Sequence, residues 1–461
     1  MKQTVKAVIG GGILVLSIII GPLSISASAA FGIMIDSPRK QVVDGILPED
    51  VVCKPGLTLM LRSSGTAACV KPSNSMKLVG RGWGIILKEP SIREEKAEHP
   101  STSPILVFVD YTSHTVEDDA DGIAIVDLNP DSSSFGQILQ EVPIGPRVNP
   151  HHLYYNRDGS KLYTTALGGP IIQASLFLIE MNGDRINQVL PIDTGPCKVA
   201  EDLYFSEDGT RFYMTCMGSD MVIIYEEDTY NLIGQIKASK DKADDEPYIR
   251  YPHGIHASEK IDRMVITETI SAMLDDPGSS VSVVEFSSGK VLSTLPVTKD
   301  RNNSGAPVEV LFHPDLPVAY ITGMLESSLW TLIWDPVSET FNPELVDDGT
   351  SRNHSWPLGL YLGPDGNLYV SWAKPGVVNV YSLKKPDVPE LVRTLPAEPG
   401  AHHIAFSKDG RYMFVQNNLL TLEGMNSGTI SVVDLESGEL VATVDSFIKR
   451  GWQPESLLLL E

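Results

Sequence analysis

Five of the ten histidines in this 461-residue chain stand in three short groups: His151-His152, His253 and His402-His403. A neutral imidazole keeps a nitrogen lone pair near physiological pH, so a convergent set of them is a metal site or a group of acid–base catalysts. Several imidazoles with few thiolates suit copper, zinc or iron, and copper stands high in the affinity order for nitrogen sites. Acidic residues take the equivalent places elsewhere, in Glu201-Asp202, Glu309 and Glu455. Such carboxylates ligate directly, or accept the far ring N–H of a ligating histidine and fix its orientation. All of this requires that the residues meet.

The elements that carry them repeat. HHLYYNRDG from His151, followed by KLYTTAL, has counterparts in EDLYFSEDGTRFYMTCM from Glu201, HHIAFSKDGRYMFVQNN from His402 and LGLYLGPDGNLYVSWA from Leu358. Weaker copies begin at His253 and Val308. In each, a short alternating strand meets a turn, often Asp-Gly, and a second β-rich strand follows. A third apolar strand comes next, as in MVIIYE from Met221 or WTLIWD from Trp330, and then a more polar fourth. Four antiparallel strands with the outermost most polar make a β-propeller blade.

Spacing sets the count. Inner strands starting at His151, Glu201, His253, Val308, Leu358 and His402 are separated by 50, 52, 55, 50 and 44 residues. A seventh, from Glu455, lacks partners beside it; these stand at the other end of the repeats, in PILVFVDY from Pro104 and GIAIVDL from Gly122. The expected fold is therefore all-β, a seven-bladed propeller over residues 100–461 closed by the C-terminal strand. An eighth blade would need the strand at Trp83–Leu87.

Inner strands of a propeller begin near its axis, so equivalent positions converge. Five histidines fall on the fourteen slots formed by the first two residues of each inner strand, where chance would place about 0.3. Composition does not explain that. His256 and His354 lie near the slots and rank second, whereas His99, His114 and His313 fall away from them.

A net charge of −23 and a pI near 4.8 argue against a basic nucleic-acid face. Lys2 and Lys6 precede an apolar run from Ala7 to Ile20, and Ser26-Ala27-Ser28-Ala29 offers a cleavage site. Residues 1–29 read as a signal peptide, with an uncleaved anchor as the alternative, and the product as exported, extracellular or at the cell surface. No later segment reaches the roughly twenty apolar residues a membrane span needs. Cys53 and Cys69 mark a small disulfide-stapled module over 36–84. Cys197 and Cys216 either pair or leave Cys197 as a soft ligand. There is no phosphate-cradling glycine loop, G-x-S-x-G elbow or H-E-x-x-H.

The stretch IAIVDLNPDSSSFGQILQEVPIGPRVNPHHLYYN, from Ile123 to Asn156, resembles the first blade of the selenium-binding protein and methanethiol oxidase family. SLWTLIWD, PVEVLFHPD and GRYMFVQNN resemble later blades, and the likeness runs over residues 104–461. It implies seven blades and, from the methanethiol oxidases, copper held by histidines and oxidation of a small thiol with O₂. His151 and His152 match the family's pair. The Cys-x-x-Cys that follows it in the family is replaced here by Arg157-Asp158-Gly159, and Glu201-Asp202 stand where the family's next inner strand carries histidines. The repeats are also similar to YVTN-type surface propellers, in SGTISVVDLESGELVATV.

These readings converge on an exported propeller with copper, or else zinc, held by His151, His152, His253, His402 and His403. Glu201 and Glu309 orient the ligands or move protons for oxidation of a small sulfur compound. The rival is a non-catalytic YVTN-type propeller that binds a ligand or a cell-surface partner. A lactonase-type calcium site would need oxygen ligands where this chain offers imidazoles.

Overall fold

The computed structural model describes residues 37–43, 45–48, 51–54, 57–88, 103–113, 120–168, 175–237, 247–300 and 303–460. The expected signal peptide lies outside them. Among the described residues no helix is long and apolar enough to cross a membrane. The chain divides into two compact units, Met1–His99 and Pro100–Glu461.

In the first unit the strand Thr58–Arg62 lies between Ala67–Val70 and Gly84–Lys88. The last of these covers the segment an eighth blade would have used, and it pairs within this sheet instead. So small a unit has little core, and the Cys53–Cys69 disulfide staples it.

The second unit consists of seven four-stranded antiparallel sheets, the arrangement of a β-propeller. Their inner strands are Pro150–Tyr155, Ala200–Phe205, Pro252–Ser258, Pro307–Phe312, Ser355–Leu362, Ala401–Phe406 and Trp452–Leu459. The inner strands are largely buried on both faces, whereas an outermost strand such as Leu232–Lys237 is mostly exposed. Sequence polarity follows that gradient. Apolar side chains fill the gaps between consecutive sheets: Val265, Val283, Phe312, Ile321 and Leu332 form one such cluster. Burying each contributes about 1.5–3 kcal/mol.

The Asp-Gly turns have a shared design. Gly159, Gly209, Gly366 and Gly410 sit at φ between 68° and 74°, left-handed backbone that favours glycine. The preceding aspartates cap the turn, as where Asp208 Oδ1 accepts the Thr210 N–H at 3.0 Å.

The C-terminal strand supplies the inner edge of a sheet whose other strands come from the start of the unit. Trp452–Leu459 pairs with Leu106–Ser113, with Trp452 opposite Ser113 and Leu459 opposite Val107. Trp452 stacks on Tyr111 at 4.1 Å between ring centroids. The same strand contacts Ala401–Phe406 on one side and Pro150–Tyr155 on the other.

Candidate metal centre

Neighbouring residues of a regular strand point to opposite faces. Here adjacent histidines must both face one site. The backbone solves this with a bulge at the same place in every sheet. Pro150 pairs with Ala166 and His152 with Thr165, which leaves His151 as the extra residue. Glu201-Asp202 oppose Thr215 alone, His253-Gly254 oppose Thr267, and His402-His403 oppose Gln416. Bulges re-aim side chains in this way and recur beside functional sites.

Each bulge is entered through a left-handed residue in six of the seven sheets. Asn149, Val199, Tyr251, Ala306, Trp356 and Gly400 all have positive φ directly before the strand's first Pro or Ala. Holding a non-glycine residue there costs on the order of 1–3 kcal/mol, so the surrounding structure must impose it. Two second slots are glycine because the next strand's backbone is too close for a side chain. A Cβ on Gly254 would lie 2.6 Å from the Val308 oxygen, and one on Gly359 would lie 2.9 Å from that of His402.

Hydroxyls from the second strands lock the slots together. Thr215 Oγ1 accepts the Asp202 N–H at 2.9 Å and donates to the His253 carbonyl of the next sheet at 2.7 Å. Thr267 links Gly254 to Val308 in the same manner, and Thr322 links Glu309 to Leu358. These threonines were not singled out from the sequence. Their signal is a Thr thirteen residues after the second slot, as in His152 to Thr165 and Asp202 to Thr215.

All five slot histidines come together. Ligand-type atoms of His151, His152, Glu201 and His253 lie within 4.8 Å of one another, as do those of His152, His402 and His403. The His151 and His152 rings stack at 4.4 Å, and the His152 and His403 rings meet edge-on at 4.7 Å. Glu201 Oε2 stands 3.4 Å from His151 Nε2 and 3.6 Å from His253 Nε2. Glu309 Oε1 is 3.3 Å from His253 Nδ1.

Tyrosines fix two of the rings. Tyr154 donates its hydroxyl proton to Asp202 at 2.6 Å, so its oxygen accepts from His152 Nδ1 at 2.7 Å. That leaves the lone pair on His152 Nε2. Asp202 is itself held by the Ile255 N–H at 2.8 Å. The Tyr361 hydroxyl faces His403 Nδ1 at 3.0 Å. His152 Nε2 and His403 Nε2 are buried and make no hydrogen bond among the described residues, while Glu201 Oε2 and His253 Nδ1 have only the ion-pair contacts at 3.3–3.6 Å. A buried polar atom left in that state costs about 1–3 kcal/mol, and a bound cation would satisfy several at once. The donor set therefore fits a metal.

Burial pushes His151, His152 and His403 well below the ordinary imidazole value, and neighbouring histidines add to the effect. Burial and then His253 lower His402 to about 3. Four neutral imidazoles result. At His253 burial opposes the charged form, but Glu201, Glu309 and Asp202 outweigh it and raise the group to about 9. Burial raises Glu201 to about 7, with His253 pulling it down and Glu309 pushing it up.

The second-rank candidates lie elsewhere. His256 packs between Tyr204 and Phe312, and His354 packs beside Trp372 with its Nδ1 against Asn379. Cys197 and Cys216 form a disulfide, so Cys197 has no free thiolate to offer. Glu455 faces Thr112 at 2.7 Å and Asn418 at 3.0 Å rather than the imidazoles.

No protein-family model matches the chain, and no curated protein matches it. Solved structures do. A hypothetical selenium-binding protein from Sulfolobus tokodaii aligns with a TM-score of 0.60 at 16% identity, over 78% of this chain and 96% of that one. The periplasmic gluconolactonase of Pseudomonas aeruginosa gives 0.55 at 16% identity, over 78% and 99%. A protein from Lactobacillus plantarum gives 0.54 at 15%, over 78% and 100%. The likeness is one of fold. The propeller is shared by proteins of different activity, so function must be argued from the site.

Proposed function

We propose that this chain is an exported, seven-bladed propeller that holds copper in its histidine-lined mouth and oxidises a small sulfur compound. The observation that carries the reading is the convergence of His151, His152, His253, His402, His403 and Glu201, with the buried Nε2 atoms of His152 and His403 lacking any hydrogen-bond partner among the described residues. His151, His152, His402 and His403 offer neutral nitrogens without first losing a proton. His253, held protonated between two carboxylates, would complete the set once a metal displaces its proton. Bound copper would supply one-electron redox chemistry, with O₂ as oxidant, and zinc in the same place would supply only Lewis acidity. Glu201 accepts a thiol proton at near-neutral pH, and Glu309 holds the far nitrogen of His253. The sulfur substrate rests on the family resemblance around His151 and His152. Two disulfides suit an oxidising compartment and support export.

The second reading is a binding propeller without catalysis, favoured by the apolar walls above the histidines. Elemental analysis of protein expressed with export and supplied with copper and zinc separates the two. We expect about one tightly held copper per chain, lost in the double variant His151→Ala, His402→Ala. A metal-free protein with its fold intact would overturn the copper reading.

A further inference from the structure

His151, His253 and His402 form the floor of a cavity of about 600 Å³. His151, Glu201, His253 and His402 are its polar end. The walls are of a different chemistry. Leu167, Val199, Met217, Met324 and Leu420 come from connections beside the sheets, and Trp356 from the start of the strand Ser355–Leu362. Among the described lining residues Thr269 is the one hydroxyl-bearing side chain, and there is no lysine or arginine.

We infer that the cavity takes an uncharged, largely hydrocarbon ligand of drug-like size, with a single polar end group turned to the histidine floor. Three observations carry this. First, cavities of about 300–1,000 Å³ accommodate drug-sized molecules, far more than a one-carbon thiol needs. Second, a sugar or sugar lactone buried here would leave most of its hydroxyls without partners, because the walls offer almost none. A carboxylate or phosphate finds no lysine or arginine among the described lining residues, and Glu201 and Glu309 already flank His253. Third, Leu274 and Leu325 line the cavity yet remain 48% and 40% exposed, an apolar lip where such a ligand gains contact on entry. Reading the cavity as a substrate chamber rests on the metal site proposed above; binding to its walls does not.

The test therefore uses the full, metal-stripped protein. N-phenyl-1-naphthylamine, an uncharged lipophilic fluorophore, is titrated with and without 1-decanol or glucose as competitor. Saturable binding of one probe per chain is expected, displaced by 1-decanol and not by glucose. The variant Leu274→Asp, Leu325→Asp alters only half-exposed side chains and is expected to weaken binding at least tenfold with an unchanged melting curve. Absence of saturable binding, displacement by glucose, or undiminished binding in that variant would overturn the inference. Copper content, measured separately, bears on the metal reading alone, so the two fail independently.

Discussion

The hydroxyl of Tyr154 lies 2.7 Å from Nδ1 of His152, and this contact decides which nitrogen of that ring keeps its lone pair. Because the same hydroxyl donates to Asp202, only one tautomer of His152 satisfies it. Outer partners of this kind hold a ligand ring in place as much as the ring holds the ion.

Tyr154→Phe is therefore expected to weaken metal binding by about 10- to 100-fold. The fold should survive, since Asp202 keeps the N–H groups of Leu203 and Ile255. Competition with a chelator of known affinity measures the effect. An unchanged affinity would show that the Tyr154 contact does not orient a ligand.

The metal-free protein should lose stability as pH rises from about 6.5 to 9. His253 is raised to about 9, and Glu201, Asp110 and Glu455 to about 7, 7 and 8, chiefly against or by burial. For His253, burial works downward and its carboxylate neighbours prevail; for the three acids, burial drives the rise. In that window the folded chain holds more protons than the unfolded one, so stability falls with increasing pH. Below about 6 the four depressed histidines act in the opposite sense: the unfolded chain binds their protons and acid destabilises, partly offset by the acids. Melting temperature across pH 5–9 in the presence of a chelator checks this. A curve that climbs from 6.5 to 9 contradicts the assignment.

Thr215→Val keeps the shape of the side chain but leaves the Asp202 N–H and the His253 carbonyl unpaired. Losing that link should lower stability by about 1–3 kcal/mol. Chemical denaturation gives the number. Thr165→Val, which frees the Glu201 carbonyl, is expected to behave alike. If both variants matched the parent, the hydroxyl links would be incidental to the ring of slots.

Replacing Cys197 and Cys216 together by Ala should cost about 2–4 kcal/mol, the usual contribution of such a bridge. Copper content should stay the same, because both sulfurs are engaged with each other. Loss of copper without loss of structure would make the sulfurs part of the site after all.

Much of the architecture was legible because it repeats. Alternating runs ending in Asp-Gly mark the first hairpin of most blades, and the unpartnered strand at Glu455 points to Leu106–Ser113 from the far end of the chain. Convergence of the five histidines followed from position alone. What stayed hidden was local backbone geometry. Nothing in the composition of Val199 or Trp356 announces a left-handed conformation, and strand alternation by itself would send His151 and His152 to opposite faces. The bulge reconciles the pair. The roles of Tyr154 and Tyr361 depend on contacts between sheets, which no single repeat displays. His354 misled because closeness in sequence to Leu358 does not carry it past Trp372.

The pairing of Trp452–Leu459 with Leu106–Ser113 has a consequence in time. Ser456 bonds to Asp110 across 346 positions of chain, at 2.9 Å in the finished molecule. A polypeptide emerging from its N-terminus presents the His151 strand long before the segment that flanks it at Glu455 exists. Until then one sheet lacks its inner edge, and the incomplete molecule carries an open strand that invites association with its neighbours. Ion capture by an unfinished ring would also lack the strand that joins His151's sheet to that of His402. The direction of synthesis thus leaves this sheet open until Trp452–Leu459 is made, and that strand is its clasp.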